Sequence, residues 1–292
     1  MTRLCRLLTG IKVCGRISRL ARKKTRPLPG DLNLPPGGAD SHTHLDMGGL
    51  GSSLKQVLDR ASECGVTTLA HVFLGPQAYH QGKNIFDEHD QVLFILGIHP
   101  HEAGSLTSDV LNQIIEAAEN SSKIKALGEI GLDFFYNHST PDDQTDAFRK
   151  QLEAARNLDL PVVIHSRDAY RETISILTDM GFRDRPLLWH CFGHGPQEAR
   201  EIMSFGWHIS IPGSVTYKKS SLLRDAVKVI DPNRLCIETD CPFLAPEPYR
   251  GKENEPALLG FTLMKIAEIK DMNPGWLWVK CGDNCREFFN IR

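Results

Sequence analysis

Eight short apolar runs alternate with amphipathic stretches across about 250 residues, and this predicts an α/β chain folded as one TIM-type (β/α)₈ barrel. Two further observations point the same way. Composition does not break along this length, as it would at a boundary between domains. No glycine-rich G-x-G-x-x-G turn follows any apolar run, which removes the usual mark of a doubly wound sheet.

The strands expected, in order, are 39–45, 67–73, 92–97, 124–130, 161–166, 187–191, 207–211 and 235–239. Each is short, and most are rich in Val, Ile, Leu or Phe. Apolar residues at helical spacing predict helices over 54–64, 106–120, 142–158, 170–180, 196–205 and 220–230. The pattern over 79–88 is a weaker helix, and two more helical stretches, 257–269 and 274–289, follow the last strand. No fixed short repeat and no low-complexity tract is present.

Residues 1–38 form a separate segment in charge terms. They hold nine Lys and Arg against the single acid Asp31, a net +8, which leaves the body at −10 with 25 basic and 35 acidic residues. Leu4, Leu7, Leu8 and Ile11 fall at helical spacing, a pattern shared with basic amphipathic surface helices and with transit peptides. The prolines and glycines of 26–38 read as a linker, so 1–38 is expected to be a disordered extension and 39–292 the barrel domain.

An acidic body is not the footprint of a tight duplex binder. It suits a bound cation, whose charge the residue count omits. Eight cysteines without a C-x-x-C pair or a secretory signal predict reduced thiols and a cytoplasmic protein. No apolar run approaches the length of a membrane span.

The chemistry lies at the strand ends. His42 and His44 close the first strand, Glu129 the fourth, His165 the fifth and His190 the sixth, and Asp240 follows the eighth. In a (β/α)₈ barrel these ends converge on one face, so residues far apart in sequence become neighbours. His42 and His44, two apart on a strand, send their rings to the same side. Four imidazoles and two carboxylates exceed the needs of one tetrahedral ion. They suit two divalent ions with one carboxylate between them. His71, His80, His89, His138, His194 and His208 are read as ordinary structural histidines.

The segments Asp40-Ser41-His42-Thr43-His44-Leu45-Asp46, Leu160-Pro161-Val162-Val163-Ile164-His165-Ser166-Arg167-Asp168 and Leu235-Cys236-Ile237-Glu238-Thr239-Asp240-Cys241-Pro242 resemble the three signatures of the TatD family of metal-dependent deoxyribonucleases. Gly97-Ile98-His99-Pro100-His101, the run from Gly128 to Asp133, His190-Cys191-Phe192 and the run from Pro248 to Pro256 are also similar to that family. The resemblance implies an amidohydrolase-like barrel. It implies that His42, His44 and Asp240 hold one ion, that His165 and His190 complete the other, and that Glu129 bridges them. His99 and Arg167 match positions beside the substrate. The likeness makes DNA the expected substrate, with Asp240 taking a proton from the attacking water, and the acidic body favours single strands or ends over a long duplex footprint. The ions are Zn²⁺, Mg²⁺ or Mn²⁺. Phe134, Phe135 and Tyr136 are candidates for stacking on bases. Gly193-His194-Gly195 and the stretch 73–88 depart from the family pattern. The competing readings are a related barrel that hydrolyses an ester, lactone or amide, and a metal-stabilised binding module.

Overall fold

The computed structural model describes residues 26–291, so what is expected of residues 1–25 lies outside the described residues. Eight parallel strands form one sheet in sequential order: β1 (Gly38–Thr43), β2 (Val66–Leu74), β3 (Val92–Gly97), β4 (Ile124–Asp133), β5 (Val162–Arg167), β6 (Leu187–Trp189), β7 (His208–Ile211) and β8 (Leu235–Ile237). The sheet closes on itself just beyond β8. There Thr43 bridges Cys241, His44 N donates to Cys241 O (2.9 Å), and Asp240 N donates to His42 O (3.0 Å).

Helices α1 (Leu54–Glu63), α2 (Pro76–Gly82), α3 (Ser108–Asn120), α4 (Pro141–Asn157), α5 (Tyr170–Asp179), α6 (Pro196–Ser204), α7 (Ser221–Val229), α8 (Leu259–Lys270) and α9 (Pro274–Phe288) wrap the sheet. Between strands and helices lies the larger apolar layer, which includes Leu69, Phe73, Phe94, Leu152, Trp189 and Trp207. The alternate strand residues point inward. Ala70, Val72, Leu93, Ile95, Ala126, Val163, Leu188 and Cys236 fill the barrel, and Cys285, Phe288 and Phe289 from the end of the chain pack against them. This closes the interior at the N-terminal end of the strands. The approach of α9 depends on Gly282, because a Cβ there would stand 1.9 Å from Gly37 O.

The stretch 26–37 runs along the outside of the barrel, from the loop after β8 past α8 to α9. Trp278 Nε1 donates to Pro35 O (2.8 Å), Tyr249 Oη donates to Pro27 O (2.9 Å), and Leu34 packs on the core. No helix among the described residues is long and apolar enough to cross a membrane.

His208 sits on β7 away from the strand ends that carry the candidate site, 7% exposed, with its ring 5.9 Å from that of Phe288. Burial, reinforced by the charges of Arg234 and Lys280, pulls its pKa down to about 4. The folded protein therefore keeps this imidazole neutral where the unfolded chain protonates it. Stability is fully present above the ordinary value of 6.5, and is lost as pH falls from there to about 4. Urea unfolding at pH 7 and pH 4.5 should show a loss of about 2–3 kcal/mol in the native protein that His208→Gln lacks. Equal losses in the two proteins would remove His208 as the cause.

Candidate metal centre

The rim at the C-terminal strand ends gathers every residue expected there. Glu129, on β4, stands at the centre and is 4% exposed. Its Oε2 lies 3.4 Å from His42 Nε2. Its Oε1 lies 2.7 Å from His165 Nδ1, 3.3 Å from His190 Nε2 and 3.6 Å from His99 Nε2. Asp240 Oδ1 is 3.5 Å from His44 Nε2 and 3.9 Å from His42 Nε2. His42 and His44 do share a side, with ring centroids 5.1 Å apart, and His42 stacks on His190 at 3.5 Å. Two sets of donors result. His42, His44 and Asp240 form one, and His99, Glu129 and His165 the other, with donor atoms in each set within 4.8 Å of one another. His42, Glu129 and His190 form a third such group, which joins the two.

Arg167 stands further out. Its guanidinium lies over the rings of Phe135 (4.1 Å) and Tyr136 (4.6 Å) at the mouth of the cavity. Of the three consecutive aromatics, Phe134 packs on the core, whereas Phe135 and Tyr136 are about half exposed. His138 and His194, read from sequence as structural, both line the cavity, which measures about 860 Å³.

A layer of residues without an expected role holds the donors in place. Glu238, fully buried, accepts from His190 Nδ1 (3.0 Å) and from Cys191 N (2.8 Å). Asp133 Oδ2 accepts from His165 Nε2 (3.1 Å) and His101 Nε2 (2.9 Å), while its Oδ1 accepts from Phe135 N and Tyr136 N. Gln144 of α4 clasps the Asp133 backbone through both of its amide atoms. Asp40 accepts from Thr239 N and Oγ1, and Asn254 donates to Thr239 O and Phe243 O, which fixes the loop that carries Asp240. His71 accepts from Leu45 N, next to His44. Gly131, at φ +140°, lets β4 run tight against β5, since a Cβ there would stand 2.0 Å from His165 O. Asp168, Cys191 and Asp240 each follow a strand end in the left-handed region, with φ of 52°, 46° and 54°. Such backbone in non-glycine residues concentrates where a side chain must be aimed.

The electrostatics fit a cation. Burial pushes the Glu129 carboxyl up, but the charges of His190 and His99 and hydrogen bonds from His165 and His190 outweigh it and hold Glu129 well below the usual carboxylate range. Burial likewise disfavours charge on His190, yet Glu238 and Glu129 on either side raise it well above the ordinary imidazole value. The carboxylates thus demand positive charge at this spot, and a proton supplies it when no ion does. Burial, with the charge of His190, pulls His42 down to about 3 and keeps that ring neutral. His42 Nδ1 and Nε2 and His44 Nδ1 are buried and have no hydrogen-bond partner. Of these, His42 Nε2 faces Glu129 Oε2 and Asp240 Oδ1, and an unpartnered buried imidazole nitrogen that faces carboxylates is what a divalent ion requires of a ligand. Glu238→Gln should lower metal affinity about 10–100-fold by releasing the His190 ring. Titration of the apo-protein with Zn²⁺ checks this, and unchanged affinity would remove Glu238 from that role.

Fold and site together define a metal-dependent hydrolase on a (β/α)₈ barrel. The family model described as TatD related DNase matches residues 39–290, and the chain belongs to the TatD family. An uncharacterized metal-dependent hydrolase of Bacillus subtilis is 34% identical over 252 residues, covering 86% of this chain and 98% of its own. A 3′–5′ ssDNA/RNA exonuclease TatD of Pectobacterium parmentieri is 34% identical over 243 residues, covering 81% and 93%. In the fold alone, the crystal structure of a TatD homolog from Escherichia coli matches with a TM-score of 0.82 at 24% identity, covering 87% of this chain and 98% of its own.

Proposed function

We propose that this hydrolase cleaves phosphodiester bonds in DNA, at single strands or ends, with two divalent ions held by His42, His44, Glu129, His165, His190 and Asp240. The observation that carries the two-ion reading is the placement of Glu129: one carboxylate oxygen faces His42 and the other faces His165 and His190. The substrate class rests on the family's description and on the exonuclease relative.

Bound divalent ions supply Lewis acidity, acidifying a water and drawing charge from phosphate oxygens. The chain's own residues do the rest. Asp240, beside His44 and open to the cavity, accepts the proton of the attacking water. Glu129 sets the separation of the two donor sets. His99, 3.6 Å from Glu129 Oε1 and part of the cavity wall, donates toward a phosphate oxygen. Arg167 supplies fixed positive charge at the mouth. The described cysteines are unpaired, which favours a reducing compartment and hence the cytoplasm.

Chelation, followed by separate return of Zn²⁺, Mg²⁺ and Mn²⁺ with end-labelled single-stranded DNA, tests this reading. Cleavage is expected to vanish and return with at least one ion. Hydrolysis of a panel of esters, lactones and amides, with DNA left intact, would replace it with the related-barrel alternative.

A further inference from the structure

Among the large apolar side chains left exposed in the described residues, Phe135 (54%), Tyr136 (50%) and Phe243 (53%) cluster at the mouth of the catalytic cavity. Tyr136 and Phe243 line it directly. Single exposed aromatics are ordinary on a protein surface. The placement of these is not. Phe243 packs edge-on to His44, with ring centroids 6.3 Å apart, at one end of the row of donors. Tyr136 belongs to the loop capped by Asp133, which holds His165 at the other end. Tyr136 is also stacked nearly parallel to His138, at 9° and 5.6 Å, and Arg167 lies over it at 4.6 Å. That lip is a stack already built, and its guanidinium rests on rings while it faces the cavity. Aromatic faces and Arg planes are what unpaired bases stack on.

The floor between the lips explains the need. His42 is fully buried and Glu129 nearly so, hence a phosphate that reaches them must leave the level of the rim. Drawing one phosphate of a duplex below the rim strains the stacking and pairing of the bases beside it, a cost that an unpaired strand does not carry. On the phosphodiesterase reading above, we infer that the two lips hold the nucleobases on either side of the scissile phosphate, Phe243 taking one and the His138–Tyr136–Arg167 stack the other. The enzyme therefore selects unpaired strands with little regard for which base is present, because every base offers a flat face.

The test uses oligothymidylates in which one nucleotide at a time is abasic, with each cleaved bond resolved on a sequencing gel. In the native enzyme an abasic residue next to a bond is expected to raise KM for that bond about tenfold, with kcat changed less. Tyr136→Ala should erase this penalty on one side of the bond and Phe243→Ala on the other. Tyr136→Phe and Phe243→Tyr should restore it, which a general disturbance of the site would not do. A penalty absent in the native enzyme, or retained on both sides in both alanine variants, would overturn the inference. Cleavage of every strand with a KM that abasic substitution leaves unchanged would sink the stacking alone and leave the phosphodiesterase standing. A native enzyme that cuts no nucleic acid would sink both.

Discussion

Asp240→Asn is expected to lower turnover on single-stranded DNA about 10²–10⁴-fold, the range over which a positioned proton acceptor acts, while the fold survives. The side chain is the wrong one to lose and the right one to exchange. Its backbone sits at φ 54°, a conformation that asparagine tolerates nearly as well as aspartate. Its N–H continues to donate to His42 O. Its oxygens face imidazoles and the cavity, so the isosteric amide leaves no void. Rates must be taken at saturating metal, because the carboxylate also belongs to the His42–His44 donor set. Circular dichroism and metal content measured on the same samples separate a chemical loss from a structural one. A folded, metal-loaded Asn variant with native turnover would end the assignment.

Glu129→Gln should produce the largest change in metal binding. Both donor sets face this one carboxylate, so loss of its charge weakens them together, by more than the roughly 10–100-fold that follows loss of an outer partner. The amide would also oppose His165 Nδ1, now 2.7 Å away, and would no longer favour charge on His190. His44→Ala, by contrast, touches only the set with Asp240. Calorimetric titration of the apo-protein with Zn²⁺, with metal content counted independently, should show two ions in the native chain. It should show one strong site in His44→Ala and neither at native affinity in Glu129→Gln. One undiminished site in Glu129→Gln would refute a carboxylate shared between the ions.

Much of this was legible before the structure. The expected strand 92–97 is β3 residue for residue, and the six residues expected as ligands lie together at one face of the barrel. The differences have local causes. Strands expected to reach Cys191 and Thr239 stop at Trp189 and Ile237, close to where the left-handed residues Cys191 and Asp240 turn the chain away. β4 runs on to Asp133 because Gly131 permits continued pairing with β5. The weak helix of 79–88 begins earlier, with α2 at Pro76, where proline after Gly75 marks a first helical turn, and gives way to a 3₁₀ turn at Lys83. Glu238, Asp133 and Gln144 stayed hidden for a different reason. Two of them lie inside recognisable motifs, but a carboxylate reveals its partner only when register brings a particular imidazole nitrogen against it.

The aromatic pair at the end of α9 has one more consequence. Phe288 and Phe289 pack into the N-terminal end of a barrel already filled by small aliphatic residues, so the cavity is a blind alley. A polynucleotide cannot thread through the molecule as through a ring. Whatever enters by the rim must leave by the rim, past the residues that admitted it.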